Sequence, residues 1–73
     1  MTIGQSIKAT RKSKGVTQTK LAEKVGVRQC VFSWWETDRA TPSIIFLICI
    51  ADVLDVTLDE LVGRNVQEKQ KNF

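Results

Sequence analysis

Apolar residues recur along the chain at helical spacing, and four glycines and one proline separate the apolar stretches from one another. Ile3 and Ile7 begin a stripe with a four-residue repeat, and basic residues fill the other positions as far as Lys14. This pattern predicts a first helix over residues 3–14. Gly15 is placed to end it as a C-terminal cap.

A second and a third helix are predicted on either side of Gly26, whose backbone allows a sharp reversal of the chain. Thr17 is a favourable N-cap for the second helix, which Gly26 ends. The apolar face of this helix consists of Leu21, Ala22 and Val25. The third helix is predicted from about Gln29 to Glu36. Its inward face is made by Val31, Phe32 and Trp35.

Two more helices are predicted after Pro42. Ser43 is expected to cap a fourth helix over residues 44–54. Thr57, with Glu60 three residues later, has the capping-box pattern and begins a short fifth helix around residues 58–62. Five helices without a strand predict an all-α domain over residues 1–63. The polar residues 64–73 are expected to form a tail, frayed or helical when something binds it.

The fourth helix is apolar on nearly every side, with the sequence SIIFLICIADVL. Its predicted core stripe is Ile44, Leu47, Ile48, Ala51 and Leu54. Its remaining apolar residues are Ile45, Phe46, Cys49, Ile50 and Val53. A chain of 73 residues has too little material to bury such a helix all round. We therefore expect a homodimer whose interface includes Ile45, Phe46, Cys49 and Val53, with coverage by the tail as the alternative.

Charge divides the chain into two unequal parts. Residues 1–39 contain eight Lys and Arg against three acidic residues, whereas residues 40–73 contain three basic against five acidic residues. This asymmetry suggests that the N-terminal part faces a polyanion, with ordinary solvated surface as the alternative.

The residue inventory argues against several other classes of protein. The chain has no histidine, the commonest general base, so an enzyme is not expected. Cys30 and Cys49 are far apart and lack metal-ligand spacing, which favours free buried thiols. The longest apolar run, residues 44–51, is too short to span a bilayer. We expect a cytoplasmic protein with no metal, cofactor, membrane partner or evident small-molecule ligand.

Four stretches carry a family resemblance: IGQSIKATRKSKGVTQTKLAEKVGV, FSWWE, RATPS and IADVLDVTLDELVG. In this order and spacing they resemble the Cro and phage-repressor class of helix-turn-helix regulators, the XRE family, over residues 3–63. The resemblance implies a five-helix, lambda-repressor-like domain that binds double-stranded DNA. It also implies that the third helix enters the major groove while the second lies across the backbone.

The resemblance assigns roles to particular residues. The base-reading positions match the outward side of the third helix: Arg28, Gln29, Cys30, Ser33 and Trp34. Gln29 suits the edge of adenine. Gln18 matches a position that touches phosphate and often braces the first recognition residue, here Gln29. The other backbone candidates are Thr17, Lys20, Arg39 and Thr41. The family pattern also pairs Arg11 with Glu36, a pair that we expect to be mainly structural.

The chain departs from the family pattern at several positions. Thr37 and Asp38 replace the usual Asn-Gly after the third helix, which leaves the loop shape open. Arg28 stands where a capping Ser or Thr is common. Trp34 replaces a polar residue, and it has three possible uses: contact with thymine methyls or sugars, an indole N–H bond to a phosphate, or a protein interface.

Two functions from different classes fit this sequence. The first is a dimeric, sequence-specific transcriptional regulator, a repressor because no activation or sensor domain is evident. The second is a protein-interaction module on the same fold, such as an antitoxin-like partner. The basic N-terminal part and the Gln18–Gln29 combination favour the first.

Overall fold

A computed structural model describes residues 2–63, and five α-helices account for most of them. They are α1 (Ile3–Ser13), α2 (Gln18–Val25), α3 (Gln29–Glu36), α4 (Ile44–Leu54) and α5 (Leu58–Val62). No strand occurs in this range, so the predicted all-α fold is confirmed. The first helix ends one residue earlier than predicted. The proposed tail, residues 64–73, lies outside the described residues.

Local side-chain bonds explain where most of the helices begin. The hydroxyl of Thr17 accepts a hydrogen bond from the Lys20 N–H, and Thr57 with Glu60 forms the predicted capping box. A second capping box, between Thr2 and Gln5, begins α1 and was not predicted. Ser43 occupies the N-cap position of α4 but makes no side-chain cap bond, so that part of the prediction was wrong.

Every helix contributes one completely buried side chain to the core. These residues are Ile7, Leu21, Phe32, Ile50 and Leu61, in chain order from α1 to α5. Burying one such side chain stabilises a fold by roughly 1.5–3 kcal/mol. Helix α1 packs against α3 and α5, while α2 packs against α3 and α4. The α2–α3 pair is therefore held from both sides by the remaining helices.

The orientation of α4 differs from the predicted one. Ile50 is fully buried, whereas Ile44 is 56% exposed and Ile48 is 47% exposed. The buried stripe is Leu47, Ile50, Ala51 and Leu54, which has the same 3, 4, 7 spacing as the predicted stripe. Because the helix is apolar nearly all round, spacing alone could not separate the two stripes. None of the helices within residues 2–63 is long and apolar enough to cross a membrane.

The loop after α3 is fixed by its contact with the start of α1. Asp38 adopts a left-handed backbone with φ of 63°. Its carboxylate accepts hydrogen bonds from the Thr2 hydroxyl at 2.6 Å and the Gly4 N–H at 3.1 Å. A helix N-terminus favours such a negative group. These bonds offset the backbone cost of placing aspartate where the family usually has glycine.

Gly4 is required by the same contact. A Cβ atom at this position would meet the backbone carbonyl oxygens of Trp35 and Glu36 at less than 3 Å. The absent side chain therefore allows the first turn of α1 to approach the end of α3 closely.

Candidate nucleic-acid interface

Helices α2 and α3 form a helix-turn-helix unit. The connection consists of Gly26, Val27 and Arg28. Gly26 has φ of 89°, in the left-handed region, and the Val27 N–H donates to the Ala22 carbonyl at 3.0 Å. Two helices joined by so short a glycine turn, with packing between them, are typical of DNA-binding motifs.

The two sides of α3 have opposite environments. Phe32 and Trp35 are buried, with ring centroids 5.6 Å apart, and Val31 is half-buried. On the outward side, Arg28, Gln29 and Cys30 are exposed and Ser33 is half-buried. The adjacent tryptophans differ clearly, since Trp34 is 44% exposed and Trp35 only 5%. One side of α3 therefore anchors the helix and the other remains accessible.

The prediction of free buried thiols was correct in part. Both cysteines are free, but Cys30 is exposed and Cys49 is half-buried. Cys30 faces outward because its i+4 neighbour on α3 is Trp34 and not one of the core residues.

A buried ion pair joins α1 to the end of α3. The Arg11 Nε donates to Glu36 Oε2 at 2.7 Å and its Nη2 donates to Glu36 Oε1 at 3.2 Å, while Nη1 donates to the Val16 carbonyl at 2.8 Å. The side chains are 10% and 1% exposed, respectively. Such burial is tolerated because each charge is paired and hydrogen-bonded. The pair expected from the sequence is thus present, with three guanidinium nitrogens engaged inside the protein.

A chain of amide contacts leads from this ion pair to the surface of α3. The Gln18 Nε2 donates to Glu36 Oε1 at 2.9 Å. The Gln29 Nε2 in turn donates to Gln18 Oε1 at 3.4 Å. Gln29 is exposed and Gln18 is half-buried, so the three residues form a path from the interior to the outward side.

The remaining backbone candidates lie at the surface. Thr17, Lys20, Arg39 and Thr41 are all exposed. The Arg39 N–H donates to the Trp34 carbonyl at 2.9 Å, which fixes the loop immediately after α3. Asp38, Thr2 and Gly4 help to place this loop and were missed as positioning residues. The Thr-x-x-Gln spacing of residues 2–5 was the available signal for Thr2.

The residues expected at a dimer interface have mixed environments. Ile45 and Val53 are exposed and Cys49 is half-buried. Phe46 instead packs on the core, with its ring centroid 5.2 Å from that of Trp35. The three exposed isoleucines of α4 are Ile44, Ile45 and Ile48, here called the isoleucine face.

The sequence profile of the helix-turn-helix family matches residues 7–61. This match covers most of the chain, including the α2–α3 unit and all five fully buried residues. The chain therefore belongs to the helix-turn-helix family, of the Cro and phage-repressor type.

One curated relative and two solved structures illustrate what the chain is similar to. The chain is 36% identical over 75 residues to the immunity repressor protein of Bacillus phage phi105, covering 100% of this chain and 52% of that protein. It is similar to the structure of the biofilm regulator SinR in complex with DNA, with a TM-score of 0.74, 47% identity and coverage of 81% and 95% of the two chains. The P22 c2 repressor with a synthetic operator gives a TM-score of 0.79 at 28% identity, covering 89% and 98%.

The chain spans about half or less of the length of the curated relatives that it matches. The similarity therefore concerns the five-helix domain.

Proposed function

We propose that the protein is a sequence-specific transcriptional regulator of double-stranded DNA, a repressor, in which α3 enters the major groove. The observation that carries this proposal is the division of α3 into two sides. Phe32, Trp35 and Glu36 hold the helix in the core, while Arg28 and Gln29 stay exposed at its start. The DNA-bound state of the SinR and P22 c2 relatives supports the same assignment.

Base contacts are assigned to the outward side of α3, and the proposed set is Arg28, Gln29, Cys30, Ser33 and Trp34. Backbone contacts are assigned to the start of α2 and the loop after α3, and that set is Thr17, Gln18, Lys20, Arg39 and Thr41. Trp34, being large and exposed, offers apolar area for thymine methyls or sugars.

The charge of the chain supports a nucleic-acid partner. The basic excess lies in residues 1–39, the part that contains α2 and α3. Each phosphate neutralised by a basic side chain adds about 0.9 to the slope of log affinity against log salt.

Site selection from random duplex DNA, followed by titration at several salt concentrations, tests the proposal. We expect one preferred sequence and an affinity that falls steeply with salt. Gln29→Ala should lose the preference at one base position, whereas Ser13→Ala, at an exposed residue of α1 outside the proposed contacts, should not. Absence of a preferred site, or binding that does not respond to salt, would contradict the proposal and favour a module that binds protein partners.

The isoleucine face is assigned to a homodimer. One of its residues, Ile44, also lines an open groove of about 280 Å³ whose other lining residues are mainly apolar, with Ile3, Leu58 and Val62 among them. In a two-fold interface the same patch meets itself, so three exposed isoleucines suit association with a second copy. The dimer would place two α3 helices about 34–36 Å apart, one turn of DNA.

A further inference from the structure

We propose that a groove beside α2 binds an acidic segment of a partner protein, and that this segment competes with DNA for the start of α2. The competition, but not the binding itself, rests on the proposed function. This site, here called the lysine groove, is open and has a volume of about 490 Å³. Its lining residues are Gly15, Val16, Thr17, Lys20, Lys24 and Val53.

Two lysines give the lysine groove a positive charge. Lys20 and Lys24 are four residues apart on α2, so they lie on the same side of the helix, with Cβ atoms roughly 5–6 Å apart. Both are exposed, and neither forms an ion pair with a described residue. Their acidic neighbours along the chain, Glu23 and Asp52, are exposed but do not line the groove. The two ammonium groups are therefore available to carboxylates of another molecule.

Two valines add an apolar part to the same groove. Val16 is half-buried and packs against the core, and its carbonyl accepts a hydrogen bond from Arg11 Nη1 at 2.8 Å. Val53, on α4, is 36% exposed. An apolar side chain placed against these valines would leave water, which is favourable in proportion to the area buried. The lysine groove thus combines positive charge with an apolar surface that the fold holds in place.

This combination fits an acidic peptide segment better than it fits a nucleic acid. A DNA backbone offers phosphates to the lysines, but it has no apolar side chain to place against Val16 and Val53. A peptide segment supplies both groups, because carboxylates and an aliphatic side chain can follow one another within a few residues. The occupant is therefore a segment rich in glutamate or aspartate that carries a leucine or a similar residue.

The lysine groove overlaps the proposed DNA contacts. Thr17 and Lys20 belong to both sets, whereas Lys24 belongs to the groove alone and lies about 6 Å further along the axis of α2. An acidic segment paired with Lys20 would take the place of the phosphate assigned to the same side chain. Binding of the partner would then release the protein from DNA.

Peptide binding in the absence of DNA is the first test. The probe is a synthetic peptide in which a leucine follows each pair of glutamates. One matched peptide has serine in place of leucine, and the other has glutamine in place of glutamate. Amide shifts of the isotope-labelled chain locate the contact. We expect the acidic peptide to shift Val16, Lys20, Lys24 and Val53 most strongly, and each matched peptide to bind several-fold more weakly.

Two charge-reversal variants separate the lysine groove from the general charge of the chain. Lys24→Glu alters the groove, and Lys8→Glu makes the same change at an exposed position of α1 outside it. Lys24→Glu should weaken peptide binding by about 2- to 30-fold, because an exposed ion pair is replaced by a repulsion of similar size. Lys8→Glu should have a much smaller effect. Thermal unfolding confirms that both variants are folded.

Competition with DNA is the second test. The acidic peptide should displace a selected duplex from the unaltered chain and from Lys8→Glu. Displacement from Lys24→Glu should require a correspondingly higher peptide concentration, although this variant should select the same DNA sequence. A peptide that binds in the groove without displacing DNA would overturn the proposed competition.

Three results would overturn the groove assignment itself. They are amide shifts confined to other surfaces, equal binding of the leucine and serine peptides, and equal weakening by Lys24→Glu and Lys8→Glu. Failure of the unaltered chain to select any DNA sequence is a different result. With peptide binding intact, it would reject the proposed function and leave the groove assignment standing.

Discussion

At the scale of single residues, the buried pair of Arg11 and Glu36 connects several helices. Their charges lie inside a small domain, and the hydrogen bonds of the pair reach α1, α3 and, through Gln18, α2. A buried pair contributes little compared with an apolar pair of similar volume, but losing one partner leaves the other charge buried without compensation. Removing either residue therefore leaves the charge of the other buried and unpaired.

Arg11→Ala is expected to lower the free energy of unfolding by about 3–5 kcal/mol, because the Glu36 carboxylate would be left buried and unpaired. That is a large fraction of the roughly 5–15 kcal/mol that stabilises an ordinary domain. Urea unfolding followed by circular dichroism measures the change. The double variant Arg11→Met with Glu36→Leu is the control and should lose clearly less stability than Arg11→Ala, because it leaves no buried charge unpaired. Full stability in Arg11→Ala alone would contradict the structural role.

Among the helices, α3 begins less favourably than α1, α2 and α5. Thr2, Thr17 and Thr57 each accept a backbone N–H bond at their helix starts, whereas Arg28 makes no side-chain cap bond. Arginine carries donors and no acceptor, so it cannot satisfy these N–H groups. Helix α3 thus exchanges a stabilising cap for a positive charge beside the first turn of the proposed reading helix.

Arg28→Ser is expected to raise the free energy of unfolding by about 1 kcal/mol, because serine can cap α3. The same change should weaken DNA binding, since a guanidinium at the interface is lost. Denaturation and DNA titration on one preparation measure the two effects. Arg28→Ala is the matched control, because it removes the charge without supplying a cap. Equal stability of the Ser and Ala variants would argue against the missing cap.

At the scale of the whole molecule, the isoleucine face is an apolar surface that the fold leaves exposed to water. Ile44, Ile45 and Ile48 are exposed although the core stripe of the same helix is filled. Contiguous apolar surface of this kind is uncommon on monomeric proteins and marks an interaction site. A second copy would remove this area from water and double the number of reading helices.

Ile45→Glu is expected to convert a dimer into a monomer, because a two-fold interface would bring two like charges together. Sedimentation at tens of micromolar distinguishes the two states. Ala9→Glu, at an exposed position on α1, should leave the oligomeric state unchanged. A monomer for the unaltered chain under these conditions would reject the dimer.

The sequence was sufficient to predict the helix boundaries to within one residue, because capping residues and glycines have local effects. It was insufficient where several arrangements share one pattern, as in α4, whose two apolar stripes have equal spacing. Long-range contacts were also hidden, since Asp38 is held by Thr2 and Gly4, which are far away along the chain. The contact of Phe46 with Trp35 was hidden for a similar reason, because it joins two helices.

Only part of the proposed DNA interface could be predicted from the sequence. The outward side of α3 follows from helical periodicity, and the Arg11–Glu36 pair was expected through the family resemblance. The DNA contacts assigned to α2, α3 and the loop after α3 remain predictions. The direction of each hydrogen bond between Glu36, Gln18 and Gln29 required the structure, because periodicity places residues on a face but does not orient an amide.

The adjacent tryptophans give α3 a spectroscopic signature. The chain has two tryptophans and no tyrosine, so its ultraviolet-excited emission comes almost entirely from this one helix. Trp34 meets water while Trp35 is enclosed, so a soluble quencher reaches the first indole far more readily than the second. The accessible part of the emission reports on the outward surface of α3, and the protected part reports on the core. A single fluorescence measurement can therefore separate occupancy of that surface from unfolding of the domain.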